Sequence, residues 1–246
     1  VVPFHMWTPD IYEGAPAPVT AFIATVSKGA VVAVLVRLYV GLQPEMYREA
    51  VLAVSIIAGL SMMIGNLLAL LQTNLKRLLA YSSIAHLGYL LVALVAGGSR
   101  GAEAAIVYLI VYSISVLAAF AVISLLSSGG TEPREVEDFR GMFWRRPWTA
   151  AAFTAVLLSL AGMPLTAGFI GKFFVLGAGV DAQRWAVVLV MAVASGTGIY
   201  YYTRVVAVMF AGRPNESGAA DRALPTWEAG DLRGRVGGAK GCGFHH

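Results

Sequence analysis

AFIATVSKGAVVAVLV, residues 21–36, is an apolar run with a single charge in it. Between Glu13 and Arg37 the only formally charged side chain is Lys28. A hydrocarbon core about 30 Å thick takes roughly 20 apolar residues of helix, and this window is long enough to cross it. Lys28 stands roughly three residues from the window's midpoint, about 4–5 Å along a helix axis, too deep for easy snorkelling. Inserting a lysine at a helix centre costs about 2.5–3.5 kcal/mol, so its retention calls for a partner or a use. Burial favours the neutral amine over the ammonium, and an amine poised between the two can accept and release a proton. The competing reading is a lysine permanently paired with a buried carboxylate, purely for structure.

Outward from this stretch the same composition continues. The chain has 246 residues, 58% hydrophobic and 13% charged, with a mean hydropathy of +0.71, which argues against a soluble domain with a solvated surface. Apolar runs recur at approximately 17–41, 50–71, 78–97, 102–127, 147–175 and 184–211, and they predict an all-α, polytopic transmembrane bundle. Ahead of them, VVPFHMWTPDIYEGAPAP carries Pro3, Pro9, Pro16 and Pro18, too many for one continuous helix. Residues 1–18 therefore read as the end of a broken helix, and the Val1 start as that of a fragment of a longer chain. The fifth run is interrupted too, because LAGMPLTAGFIGKF places Gly162, Pro164, Gly168 and Gly171 in apolar surroundings. Irregular backbone at membrane depth is tolerated only where protein buries it or water lines it, so two discontinuous helices point to a transport pathway.

Charge follows the spans. The net charge of +4 and pI of 9.3 fit membrane topology better than nucleic-acid binding. Lys76, Arg77, Arg134, Arg140, Arg145, Arg146 and Arg204 fall on one side, and Arg37, Arg48, Arg100 and Arg184 on the other, so the first side reads as cytoplasmic. Trp144 and Trp148 bracket Arg145 and Arg146 as an interfacial anchor would. The connection SSGGTEPREVEDFRGMFWRRPW on that side reads as solvated. Residues 19–211 thus form a six-span bundle. The glycine-rich, charged tail 212–246 lacks helical apolar periodicity and reads as disordered. One cysteine, Cys242, allows neither an internal disulfide nor a cysteine-rich cluster, and its grouping with His245 and His246 is weak as a metal site.

Lys172 repeats the pattern of Lys28. It is the only charged residue from Pro147 to Val180 and follows the break at Pro164 and Gly168, whose free backbone groups can hold water beside an amine. The alternative is that Lys172, near the far end of its run, simply reaches the interface. Ser82, His86 and Tyr89 lie at i, i+4 and i+7 and form a polar stripe on one helical face. A neutral imidazole can pass a proton on without staying charged. Tyr108, Tyr112 and Ser115 make a fainter stripe on the next run, and His5 sits at the first helix break. GAGV at Gly177 is too short for a phosphate loop, and no nucleotide, flavin or metal motif appears, so the chain offers relay groups without a redox centre.

VPFHMWTPDIYEGAPAPVTAFIATVSK, QTNLKRLLAYSSIAHLGYLLVAL and LSLAGMPLTAGFIGKF together closely resemble the antiporter-like membrane subunits of NADH-quinone oxidoreductase, the bacterial respiratory complex I, and most of all its subunit N type. TPDIYEGAPAP and the lysine of GFIGKF favour that type over subunits M and L. The resemblance runs from Val1 to about Phe210 and implies an inverted-repeat, antiporter-like fold, here in part. It also implies that Lys28, Lys172, His86 and His5 form a proton relay along a hydrated path at mid-membrane depth. The family's fifth-helix glutamate and seventh-helix lysine would precede Val1, and the polar tail departs from a family that continues into another helix. The implied function is proton translocation coupled to NADH oxidation and quinone reduction, in a bacterial inner membrane. No cofactor is expected on this chain, whereas NADH, FMN, iron–sulfur clusters and quinone belong to other subunits. Its partners would be those membrane subunits, the lipid bilayer, protons and water. The alternatives are a subunit of a multisubunit sodium/proton antiporter and a passive scaffold.

Overall fold

The computed structural model describes residues 1–3, 6–41, 48–127 and 132–212, all but the last within one unit, Val1–Ala211. His5 and the tail beyond residue 212, with Cys242, His245 and His246, lie outside the described residues. The described residues form helices and no strand, with one isolated β-bridge between Asn74 and Glu135.

Two short helices, α1 (Thr8–Gly14) and α2 (Ala17–Phe22), flank a break at Ala15 and Pro16, both of extended backbone. Proline at the second helix's start fits, since it lacks the N–H that would otherwise be orphaned there. α2 continues through a π-helical turn, Ile23–Ser27, into α3 (Lys28–Gly41), so the run around Lys28 is not one uniform helix. Thr25 Oγ1 bonds Ala21 O within the widened turn (2.7 Å). π-turns of this kind gather at functional positions, and this one delivers Lys28.

α4 (Arg48–Leu70) and α5 (Leu75–Ala96) are joined by a tight connection. Asn74 caps α5 by accepting from the backbone N–H of Lys76 and Arg77. The two helices approach until backbone meets backbone: a Cβ on Gly65 would lie 2.8 Å from Ala85 N, and one on Gly88 2.9 Å from Ala58 O. Small residues at such crossings are how helices pack where lipid leaves little hydrophobic drive between them. α5 is the axis of the bundle, buried on nearly all sides, with α1, α4, α6 (Gly98–Leu126), α9 (Ala167–Asp181) and α10 (Trp185–Phe210) around it.

Between α6 and α10 the chain forms α7 (Met142–Arg145), α8 (Pro147–Ala161) and α9, and the last two are the halves of the discontinuous fifth run. Among the described residues five helices, the α2–α3 run among them, are long and apolar enough to cross a membrane; α8 is shorter. α8 ends on Gly162 in the left-handed region (φ +78°), and Thr166 caps α9.

The connection into α7 differs from the expected solvated loop. Leu75 N donates to Arg134 O (2.8 Å) and Val136 N to Thr73 O (2.9 Å), while Val136 and Phe139 are buried. Val136 and Phe139, three apart on a single 3-10 turn, share one face and give this segment something to dock, which its mixed charge obscured. Lys76, grouped in the sequence with the basic residues of one face, is likewise buried and ion-paired with Glu132.

Candidate functional site

The two polar stripes of the sequence face each other. On α5, His86 Nδ1 shares a 2.7 Å hydrogen bond with Tyr108 Oη of α6. Its ring lies 5.0 Å from that of Tyr112 and 5.5 Å from that of Tyr89. His86 is buried, and these aromatic faces enclose it.

A lysine stands on either side of this cluster. The half-buried Lys28 donates to Tyr112 Oη (3.2 Å), and its ammonium position lies 5.6 Å from the ring centres of both Tyr12 and Tyr112. Lys172 is only 5% exposed, so it does not reach outward to an interface. It turns back into the helix break, donating to the terminal carbonyl of α8 at Ala161 (2.7 Å) and to Ser195 Oγ on α10 (3.1 Å). Its Nζ lies 5.2 Å from the centre of the Tyr89 ring. None of the ion pairs among the described residues involves either lysine.

The break is built to admit that amine. A Cβ on Gly162 would sit 2.7 Å from Lys172 Cδ and 2.9 Å from its Nζ. Gly168 is tighter still, since a Cβ there would lie 1.6 Å from Ser159 O. Gly168 N donates to Ser159 Oγ (3.1 Å), and Ser159 Oγ meets Ser115 Oγ at 3.3 Å, so the second stripe ends on the broken helix.

Chemically, the arrangement offers two amines, one imidazole and several hydroxyls in an apolar middle. It is not a continuous hydrogen-bonded wire, because a tyrosine ring stands between His86 and each amine. Proton movement along it needs water or a turned side chain.

Three partners were missed in the sequence. Asn66 of α4, fully buried, donates to Tyr89 Oη (3.2 Å) and accepts from Tyr201 Oη (3.0 Å). Tyr202 meets Ser82 by hydrogen bond, and Ser195 holds Lys172. An asparagine inside an apolar run was the available signal for the first. Among the described residues no cluster of three or more His, Cys, Asp and Glu side chains could hold a metal ion.

At the α1/α2 break a second polar group forms. Lys76 Nζ donates to Ala15 O (3.0 Å) and pairs with Glu132, whose other oxygen accepts from Ala17 N (2.9 Å). Burial pushes the Glu132 carboxyl up, but the Ala17 N–H and the Lys76 ammonium outweigh it and hold it below its ordinary range.

Two lysines drawn into broken helices inside a multi-span bundle define a polytopic membrane protein with a polar path through its interior. The chain belongs to the NADH:quinone oxidoreductase/Mrp antiporter transmembrane family, whose model matches residues 1–198. It is 54% identical over 217 residues to NADH-quinone oxidoreductase subunit N of Ectopseudomonas mendocina (strain ymp), which covers 87% of this chain and 44% of that protein. Among solved structures it is similar to a chain of respiratory complex I from Thermus thermophilus with bound aureothin, at 38% identity and a TM-score of 0.74, covering 89% of this chain and 49% of that one. It also resembles a chain of the Mrp complex from Dietzia sp. DQ12-45-1b, at 26% identity and a TM-score of 0.79, covering 87% and 40%. The chain spans somewhat under half the length of the curated relatives it matches.

Proposed function

We propose that this chain is part of a membrane subunit of an NADH-quinone oxidoreductase and contributes to proton translocation across a bacterial inner membrane. Its side bearing Arg134, Arg140, Arg145 and Arg146 faces the cytoplasm. Lys28, His86 and Lys172 carry the proton laterally, and His5 extends the relay toward the chain's start. Oxidation of NADH and reduction of quinone, with FMN and iron–sulfur clusters, take place in partner subunits. The observation that carries this reading is the pair of amines, Lys28 and Lys172, placed on opposite sides of one histidine–tyrosine cluster with no acid attached to either among the described residues.

The energetics suit that role. Moving one charge across 100 mV takes about 2.3 kcal/mol, and one pKa unit corresponds to about 1.36 kcal/mol. A swing of roughly two units in an amine's proton affinity is therefore enough. Among the described residues, Tyr112, Tyr89 and Ala161 O hold the amines by dipoles and ring faces rather than by a fixed countercharge, so their affinity stays open to a change of hydration or of a neighbouring charge.

Antiport of sodium against protons is the second reading, favoured by the fold shared with the Mrp chain. The greater identity to subunit N supports the first. The test is to replace Lys28 and Lys172 singly by alanine in the full-length subunit and to measure proton uptake in reconstituted vesicles. Reduced pumping in an assembled complex supports the relay, and a requirement for sodium supports the second reading.

A further inference from the structure

We propose that the Lys76–Glu132 ion pair is a gate that closes a water route running from the aqueous face, through the α1/α2 break, to Lys28. The proposal takes its purpose from the relay reading, while its geometry stands without it.

The break leaves backbone groups that helices would otherwise satisfy, and the pair occupies both sides of it: Lys76 takes the Ala15 carbonyl and Glu132 the Ala17 N–H. Thr20 Oγ1 already reaches Ala15 O (3.3 Å) and Pro16 O (3.2 Å), so a neutral cap was available here. Lys76 is buried and Glu132 half-buried, so the pair stands at the boundary between the bundle's interior and the water outside.

Outside the pair lies a cavity of about 630 Å³ with Glu13, Ala15, Lys76, Glu132, Arg134 and Asp138 on its walls. Of the other charges there, Arg134 adds its positive charge to that of Lys76 in holding the Glu132 carboxylate, and both acids are engaged. Arg77 binds Asp10 and Glu13, Asn74 also donates to Glu13, and Asp138 accepts from the N–H of Arg134 and Glu135. Inside the pair lies Tyr12, 1% exposed, over Lys28. Its hydroxyl makes no hydrogen bond of ordinary geometry among the described residues; the group it faces is Ser83 Oγ, which donates to Ala80 O (2.7 Å) and keeps its lone pairs to accept. Two buried hydroxyls side by side, neither with its full set of hydrogen bonds, make a polar spot where an ordered water fits. Tyr12 and Glu13 are successive residues of α1, so one turns to Lys28 while the other turns to the cavity.

Ser83, buried and beside Tyr12, reports on the route. The experiment places Ser83→Cys in a cysteine-free, full-length subunit within the assembled complex, and labels it with a membrane-impermeant methanethiosulfonate added to the cavity side. With the pair intact the thiol is protected. Glu132→Gln, which still accepts from Ala17 N–H but cannot pair, is expected to label at least tenfold faster. Lys76→Met breaks the pair from the other side and gives the same increase, whereas Lys76→Arg, which keeps the charge, labels like the parent. Parental rates in both Glu132→Gln and Lys76→Met overturn the gate, and an increase in Lys76→Arg equal to that in Lys76→Met reduces the pair to packing. Pumping by Lys28→Ala is read separately. Undiminished pumping there sinks the relay and leaves the labelling result in place.

Discussion

Replacing Gly162 by alanine should displace Lys172 while leaving the rest of the apolar run unchanged. Gly162 adopts φ +78°, ψ 41°, and a Cβ in the left-handed region costs about 1–2 kcal/mol. The same Cβ would come within 3.0 Å of Lys172 Cδ, Cε and Nζ. The side chain is flexible and moves first, giving up its bond to Ala161 O, worth about 0.5–1.5 kcal/mol. Together these weigh roughly 2–3 kcal/mol against the native break geometry, a population shift of roughly 30- to 150-fold. Gly177→Ala is the control, since nothing lies within 4 Å of a Cβ there, and alanine at an exposed helical position should add up to about 1 kcal/mol. The assay is proton uptake per NADH oxidised in vesicles, together with thermal inactivation of the assembled complex. Gly162→Ala is expected to fall in both and Gly177→Ala in neither. Equal behaviour of the two variants would refute the claim that this glycine positions the amine.

Gly168→Ala should be the more damaging substitution for assembly, because its Cβ would lie 1.6 Å from the Ser159 carbonyl oxygen and backbone must move; normal amounts of complex on a native gel would contradict this. Asn66→Leu removes the donor to Tyr89 and the acceptor of Tyr201, and each buried group left unpaired costs about 1–3 kcal/mol, so the thermal midpoint should drop, whereas an unchanged midpoint would deny the bridge its structural part. Because the Glu132 carboxyl is held below its ordinary range, its contribution to stability is fully present above that range and is lost as pH falls through the lowered value. Glu132→Gln should therefore flatten the acid limb of a stability–pH curve and leave the neutral limb's slope as it was.

Much of this architecture could be read in the sequence because hydrocarbon imposes a simple rule on composition. A charge-free window must be a span, and a lysine inside one is conspicuous, so Lys28 and Lys172 stood out. Pro164 with its glycines marked the broken helix because each residue has a known backbone consequence. The facing stripes on α5 and α6 were legible as faces, though not as partners. The rest depended on contacts distant in sequence. Tyr201 reaches Asn66 across 135 positions, and nothing local marks that tyrosine out among the aromatic residues of a span. The π-turn before Lys28 was hidden because IATVS is as apolar as its surroundings. Lys76 was misread because a basic residue near a helix start ordinarily means an exposed membrane flank, and its acid lies 56 positions away.

The central claim is that Lys28 and Lys172 take up and release protons during turnover. The measurement that meets it most directly is the ratio of protons moved to NADH oxidised in vesicles holding the complete complex, with each lysine changed in turn to alanine. A lowered ratio in both variants, with assembly intact, is the predicted result. An unaltered ratio in both would leave the two intramembrane amines without a part in translocation.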